Sequence, residues 1–141
     1  MYSGLSRIFP MRPITVTPQK IVLIRPCCIG DVVMATGALS ALRATYPDAH
    51  ITWAVGSWSA RAVEHHPAID AILDTGSADL PVRSVGGMLH FVRQLQAGQF
   101  DMAVSLVRSP LMSLAVYLSG IPMRVGLDSV GRGFGYNIRV P

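Results

Sequence analysis

Apolar runs alternate with amphipathic stretches along most of this chain. Short runs rich in Val, Ile and Leu predict five β-strands, at 20–25, 49–56, 68–76, 100–107 and 124–128. Segments with helical periodicity predict helices between them, at 32–46, 59–66, 85–95 and 110–120. Strands and helices that alternate at this spacing form right-handed βαβ units. The pattern therefore predicts an α/β, Rossmann-like, doubly wound parallel sheet of about five strands.

The two ends of the chain lack this pattern. Residues 1–19 are polar, proline-punctuated and aperiodic, which predicts a flexible N-terminal tail ahead of a single lobe at 20–141. The final segment, "SVGRGFGYNIRVP", is glycine-rich and basic, and no packed helix or strand is predicted there. No closing helix follows, so the fold is expected to be unfinished.

Composition limits the classes of function. The chain has 141 residues, of which 50% are hydrophobic and 14% charged, as expected for one ordered domain. Its net charge is +4, but the arginines are scattered, so no nucleic-acid partner is predicted. Arginine suits phosphate and carboxylate, which favours an anionic ligand. Cys27 and Cys28 are adjacent, and we expect them to be reduced, as in a cytoplasmic protein.

The turn "CCIGD" after the first predicted strand is the main candidate for chemistry. Ligands of open parallel sheets bind beyond the carboxyl ends of the strands, where this turn lies. It has neither the glycines of a dinucleotide fingerprint nor a Walker lysine. Asp31 directly precedes the helical run, which leaves two compatible interpretations open. It is a helix N-cap, or it is a carboxylate that accepts a proton from a reacting alcohol.

Several other side chains are predicted near the same edge. Arg108 and Ser109 follow the fourth strand, and the guanidinium suits a carboxylate or phosphate, although a solvated surface arginine is an equal alternative. Arg83 follows the third strand and invites the same argument more weakly, and Arg132 lies in the glycine-rich segment. Trp53 is expected in the core. For Trp58 core packing is favoured over stacking on a sugar.

Much of the chain carries a resemblance to a known family. The residues that match are the strand ending in arginine, the "IGD" turn, "ALRATYPDAHITW", "HPAIDAIL" and "YLSGIPMRVGLDSVGRGFGYNIRVP". Over 20–141 the sequence resembles the first lobe of the ADP-heptose:lipopolysaccharide heptosyltransferases, glycosyltransferase family 9. This resemblance implies a GT-B architecture, in which two Rossmann-like lobes face each other across a cleft.

The resemblance also implies an activity and its residues. The reaction would be an inverting transfer of a sugar from ADP-heptose to a hydroxyl of the lipopolysaccharide inner core, with neither a metal nor a cofactor. Asp31 falls on the position of the general base. Gly30, Arg83, Arg108, Ser109 and Arg132 would contact the acceptor, a lipid-linked acidic saccharide. The expected location is the cytoplasm, with peripheral contact at the inner membrane.

The resemblance covers only the first lobe. The donor site of the family lies in a second lobe that these residues do not include, so we expect the chain to be inactive alone, as a fragment, a truncated protein or half of a split pair. The alternative is a non-catalytic module that binds the acceptor or docks a donor lobe. A small nucleotide-binding protein is a further alternative, disfavoured by the missing phosphate loop.

Overall fold

A computed structural model describes residues 17–27, 29–77, 81–128 and 131–140, without the side chain of Ile29. The strands are β1 (Lys20–Ile24), β2 (His50–Val55), β3 (Ala71–Asp74), β4 (Met102–Ser105), β5 (Met123–Leu127) and β6 (Ile138–Val140). The helices are α1 (Ile29–Met34), α2 (Thr36–Thr45), α3 (Ser57–Ala60), α4 (Val85–Gly98) and α5 (Pro110–Leu118). The alternation of strands and helices predicted from the sequence is confirmed.

The six strands form one all-parallel sheet in the order β3-β2-β1-β4-β5-β6. This is the order of a Rossmann-like fold, with β1 between β2 and β4. Alternate residues of each strand enter two apolar layers, one on each face. In β1, Val22 packs with residues of α4 and α5, whereas Leu23 packs with residues of α1 and α2. The predicted doubly wound, parallel architecture is confirmed.

The first predicted helix, at 32–46, is wrong in detail. Two helices, α1 and α2, occupy this region, with a turn at Ala35 between them. The Thr36 hydroxyl donates a hydrogen bond to the Val33 carbonyl (2.6 Å), a local bond that competes with the regular helical ladder. The helix predicted at 59–66 is also shorter than expected. It is the single turn α3, and non-helical turns follow it.

A sixth strand corrects the prediction that the segment after β5 holds no packed element. β6 pairs in parallel with β5, and residues 133–137 ahead of it are buried. The Gly135 backbone N–H donates to the Ser113 hydroxyl, and the Tyr136 ring lies flat against Gly126. Glycine resembles a loop signal in sequence, but here it lets the backbone approach α5 and β5 closely.

The start of the described chain contacts Asp101, just before β4. Of the predicted tail at 1–19, residues 1–16 lie outside the described part of the chain. Gln19 and Lys20 donate backbone N–H groups to one carboxylate oxygen of Asp101, at 2.9 and 3.0 Å. Within the described ranges, no helix has the length and apolar character that crossing a bilayer requires.

Arg43 and Asp70 hold the α1–α2 side of the sheet together. The guanidinium of Arg43, at the end of α2, donates to the carbonyl oxygens of Pro47, Ala49 and Ala68. It also pairs with the Asp70 carboxylate at 2.7 Å, and that oxygen accepts the Ile51 backbone N–H at 2.8 Å. The Ile51 N–H, followed by Arg43, lowers the pKa of Asp70 against the opposing effect of burial.

Replacing Asp70 is expected to make stability depend less on pH. A carboxyl whose folded pKa is lowered stabilises the fold above its unfolded pKa, about 4, and loses this effect as pH falls through the folded value. Asp70→Asn should therefore unfold more easily at pH 7, by about 1 kcal/mol for this partly exposed pair. Urea denaturation should show the difference shrinking below pH 4, with Asp48→Asn as the control. An unchanged difference at acid pH would contradict this role.

Gly135 tests whether the glycine-rich segment belongs to the core. A Cβ at this position would fall well inside contact distance of the Ser113 carbonyl oxygen. Gly135→Ala should cost roughly 1–3 kcal/mol in the free energy of unfolding. Gly37→Ala, in α2 with open space around it, should instead stabilise by about 0.5–1 kcal/mol. Equal effects of the two substitutions in thermal unfolding would show that the segment is not packed.

Candidate functional site

The candidate site lies at the carboxyl edge of the sheet. The turn after β1 carries Gly30 and Asp31 into the first residues of α1. The loop after β4, the adjacent strand, carries Arg108 and Ser109. The loop after β3 carries Arg83 on the other side of β1. Because the strands are parallel, these three loops leave the sheet in the same direction.

Arg25 joins the β1 turn to the β4 loop. Its Nη2 donates to Asp31 Oδ2 at 2.7 Å, and its Nη1 donates to the Leu106 carbonyl oxygen at 2.8 Å. The Asp31 side chain is 57% exposed, and its Oδ1 has no hydrogen-bond partner among the described residues. One carboxylate oxygen is therefore held by the protein while the other faces the open edge.

The N-cap interpretation of Asp31 is wrong. The helix α1 begins at Ile29, three residues earlier than the pattern of apolar positions indicates. Asp31 lies within the first turn, and its carboxylate accepts from Arg25 rather than from a backbone N–H of the described residues. The side chain is consequently available at the sheet edge for another role.

Gly30 is exposed, and the space around it is open. A Cβ built on Gly30 would meet no heavy atom within 4 Å. Packing within the described chain therefore does not require glycine here. The bare backbone leaves room beside Asp31 for a ligand.

Arg108 and Ser109 lie two and three residues beyond the carbonyl that Arg25 holds. Arg108 is exposed, and its guanidinium makes no hydrogen bond or ion pair with any described residue. Ser109 is the N-cap of α5, where its hydroxyl accepts from the Met112 N–H at 3.4 Å. The structure thus gives Ser109 a local structural role and leaves Arg108 facing solvent.

Arg83 lines an open cavity of about 410 Å³ between β3 and α4. Thr75, Gly76, Ser77, Ser84 and His90 line it as well. Thr75 is buried, and its hydroxyl oxygen has no hydrogen-bond partner among the described residues. A buried hydroxyl without a partner costs free energy, so this cavity is suited to a polar group.

Arg132 is exposed near the carboxyl end of β5. Its neighbour Gly133 donates a backbone N–H to Asp128 Oδ1 at 3.1 Å, which fixes the segment there. Further along, Tyr136 is fully buried, and this burial raises its pKa to about 12. The Ser105 hydroxyl lowers the pKa of Tyr136 in part, although it makes no regular hydrogen bond with the Tyr136 hydroxyl. Arg132 itself follows β5, which β4 separates from β1, so it lies apart from Asp31 along the sheet edge.

The two tryptophans differ from each other. Trp53 is fully buried in β2, as predicted. Trp58 is 80% exposed, so the favoured prediction of core packing is wrong.

Cys27 is disulfide-bonded, contrary to the expectation of reduced thiols.

Sequence patterns missed part of this arrangement. Arg25 was visible as the polar end of β1, six residues from Asp31, but its contact with Leu106 depends on the pairing of β1 with β4. Thr75 and His90 contain no signal of their own, since a cavity is a property of packing.

Within the described ranges no group of three or more His, Cys, Asp or Glu side chains is arranged to hold a metal.

The solved structures that this chain resembles include glycosyltransferases. E. coli ADP-heptose lipopolysaccharide heptosyltransferase II matches with a TM-score of 0.72 and 25% identity, over 86% of this chain and 35% of that one. A glycosyltransferase family 9 protein of Veillonella parvula matches with a TM-score of 0.68 and 25% identity, over 77% of this chain and 31% of that one. The predicted resemblance to the heptosyltransferases is confirmed.

A third structure supports the fold alone. The E. coli heptosyltransferase WaaC with ADP matches with a TM-score of 0.68 but 17% identity, over 86% of this chain and 40% of that one. The chain thus spans roughly a third of the length of these heptosyltransferase-like proteins and has part of their GT-B fold. No family model and no curated protein matches the sequence.

Proposed function

We propose that this chain is the acceptor-binding lobe of an inverting heptosyltransferase. The observation that carries the proposal is the Arg25–Asp31 pair, which holds a carboxylate at the carboxyl edge of a heptosyltransferase-like sheet. In this proposal the acceptor is a hydroxyl of an acidic, lipid-linked saccharide of the lipopolysaccharide core. The donor is a nucleotide sugar such as ADP-heptose.

Asp31 serves as the general base. Its free Oδ1 accepts the proton of the acceptor hydroxyl as that oxygen forms a bond to the anomeric carbon of the donor. The bond from the anomeric carbon to the diphosphate oxygen breaks on the opposite face, and the diphosphate leaves with the electron pair. Configuration at the anomeric carbon is therefore inverted, and the transferred proton remains on Asp31.

Arg25 positions this base. Because its guanidinium is anchored on the Leu106 carbonyl, it restricts the Asp31 carboxylate to one orientation. Bonding through Oδ2 leaves Oδ1 for the acceptor. A group held in a reactive orientation lowers the entropic part of the barrier.

The exposed arginines of the same edge bind the acidic acceptor. Arg108 follows β4 beside the Arg25 contact, and Arg83 lines the cavity after β3. Guanidinium groups bind carboxylate and phosphate through paired hydrogen bonds. Gly30 leaves space between them, and Arg132 extends the basic edge beyond β5.

Donor binding requires a second lobe in this proposal. The described loops contain no glycine-rich phosphate cradle, and this chain matches only 35% of the length of heptosyltransferase II. The lobe would act at the cytoplasmic face of the inner membrane, where a lipid-linked acceptor is held. The second candidate, a non-catalytic acceptor-binding module, is favoured by the same partial coverage.

Asp31→Asn tests the proposed base in a protein that joins this lobe to a donor-binding lobe. The amide keeps the shape of the carboxylate but cannot take the proton. Transfer from ADP-heptose to a Kdo-containing acceptor should fall at least about 100-fold, measured as ADP release. Circular dichroism should show an unchanged fold.

Asp48→Asn is the matched control. Asp48 lies ahead of β2, at the opposite edge of the sheet, and its replacement should leave transfer unchanged. Near-normal turnover by Asp31→Asn would remove Asp31 from the chemistry and show that another group takes the proton. Turnover by the 141 residues alone would show that no second lobe is needed.

A further inference from the structure

Trp58 is the most conspicuous side chain that the fold does not use. It is 80% exposed and belongs to neither apolar layer, whereas Trp53 fills the core on one face of the sheet. We propose that the Trp58 indole is a stacking platform for a pyranose ring of an acidic oligosaccharide. The ligand class rests on the proposed function, and the platform adds a binding subsite to it.

The backbone beneath Trp58 is held by two strand ends, those of β1 and β3. The Gly56 N–H donates to the Pro26 carbonyl after β1 (2.8 Å), and the Ser57 N–H donates to the Gly76 carbonyl after β3 (3.0 Å). The Ser57 hydroxyl also donates to Asp74 Oδ1 at 2.8 Å. A Cβ at Gly56 would clash with the Pro26 carbonyl, so the close approach requires glycine. The backbone that carries the indole is therefore fixed, which lowers the cost of ordering this segment on binding.

Trp58 lies beside a cleft that adjoins the Arg83 cavity, and the cleft and the cavity together are called the groove below. A small cleft of about 50 Å³ lies beside it and is lined by Pro26, Gly76 and Ser77 among others. The 410 Å³ cavity of Arg83 shares Gly76 and Ser77 with this cleft. A ligand that stacks on Trp58 can therefore pass over these two residues and reach Arg83.

The Gly56 side of the groove contains a polar atom that the described residues leave without a partner. Thr75 is more than nine-tenths buried, lines the cavity, and its hydroxyl has no hydrogen-bond partner among the described residues. A ligand hydroxyl or carboxylate placed here would satisfy it. This atom points to a ligand independently of the exposure of Trp58.

The combination suits a saccharide better than an apolar partner. A pyranose has one face of C–H groups and a rim of hydroxyls, which match a flat indole flanked by polar atoms. Binding sites typically combine such an aromatic surface with a few convergent polar groups. The guanidinium of Arg83 at the far end selects a saccharide that carries a carboxylate or phosphate.

Quenching of tryptophan fluorescence tests the platform on the 141-residue chain. Of the two tryptophans only Trp58 is exposed, so acrylamide should quench it selectively. A Kdo-containing oligosaccharide from de-acylated lipopolysaccharide should protect Trp58 from acrylamide. Maltotriose, a neutral probe, should protect it less.

Affinity for the Kdo-containing oligosaccharide, measured by calorimetry, gives the second readout. Trp58→Ala should weaken binding roughly 2- to 10-fold, and Trp58→Phe should retain most of it. Leu118→Ala is the matched control, because it removes a half-exposed apolar side chain at the far end of α5, away from the groove. Both readouts measure binding without turnover, so failure of the proposed base in the transfer assay leaves the platform standing.

Three results would overturn the platform. The first is that the wild-type chain does not bind the Kdo-containing oligosaccharide. The second is that saturating oligosaccharide does not protect Trp58 from acrylamide. The third is that Trp58→Ala binds the oligosaccharide with unchanged affinity. If Trp58→Ala also alters the sedimentation coefficient of the chain, Trp58 is a protein contact instead.

Discussion

The strand β1 is paired along both edges and covered on both faces, and the geometry beyond its carboxyl end depends on that position. Ile21, Val22, Leu23 and Ile24 are completely buried, with β2 on one side and β4 on the other. A strand so enclosed has no freedom to shift its register. Arg25, the next residue, is therefore delivered to a fixed point at the sheet edge.

From that point Arg25 organises the neighbouring loops. It contacts the carbonyl that follows β4 and the carboxylate at the start of α1. Its own carbonyl accepts the indole N–H of Trp53 from β2, at 3.4 Å. One residue thus connects the ends of three adjacent strands. The candidate base, the Arg108 loop and the β2 side of the groove share a single support.

Periodicity was sufficient to predict the sheet, because both faces of its strands are buried. A parallel strand covered on both sides reads as a continuous apolar run, and β1, β2 and β4 do so. It failed at β6, since the glycines of 131–137 are used for close packing rather than for a loop. It also failed at α1, where the helix starts inside the turn at Ile29 and the apolar pattern begins only later.

The candidate site was predictable only in part. Asp31, Arg83 and Arg108 follow strands, and a parallel sheet must place them on one edge. The exposure of Trp58 was not predictable, because an aromatic residue between two strands usually enters the core. The Arg25–Asp31 contact and the groove from Trp58 to Thr75 arise from three-dimensional packing, for which a single sequence holds no local signal.

Calorimetric titration of the wild-type chain with ADP and with a Kdo-containing oligosaccharide tests the central claim most directly. An acceptor lobe should release heat with the oligosaccharide and none with ADP, because the described loops place Trp58 and Arg83 along one groove and contain no phosphate cradle. Binding of ADP without binding of the oligosaccharide would contradict this account and identify a nucleotide-binding domain instead.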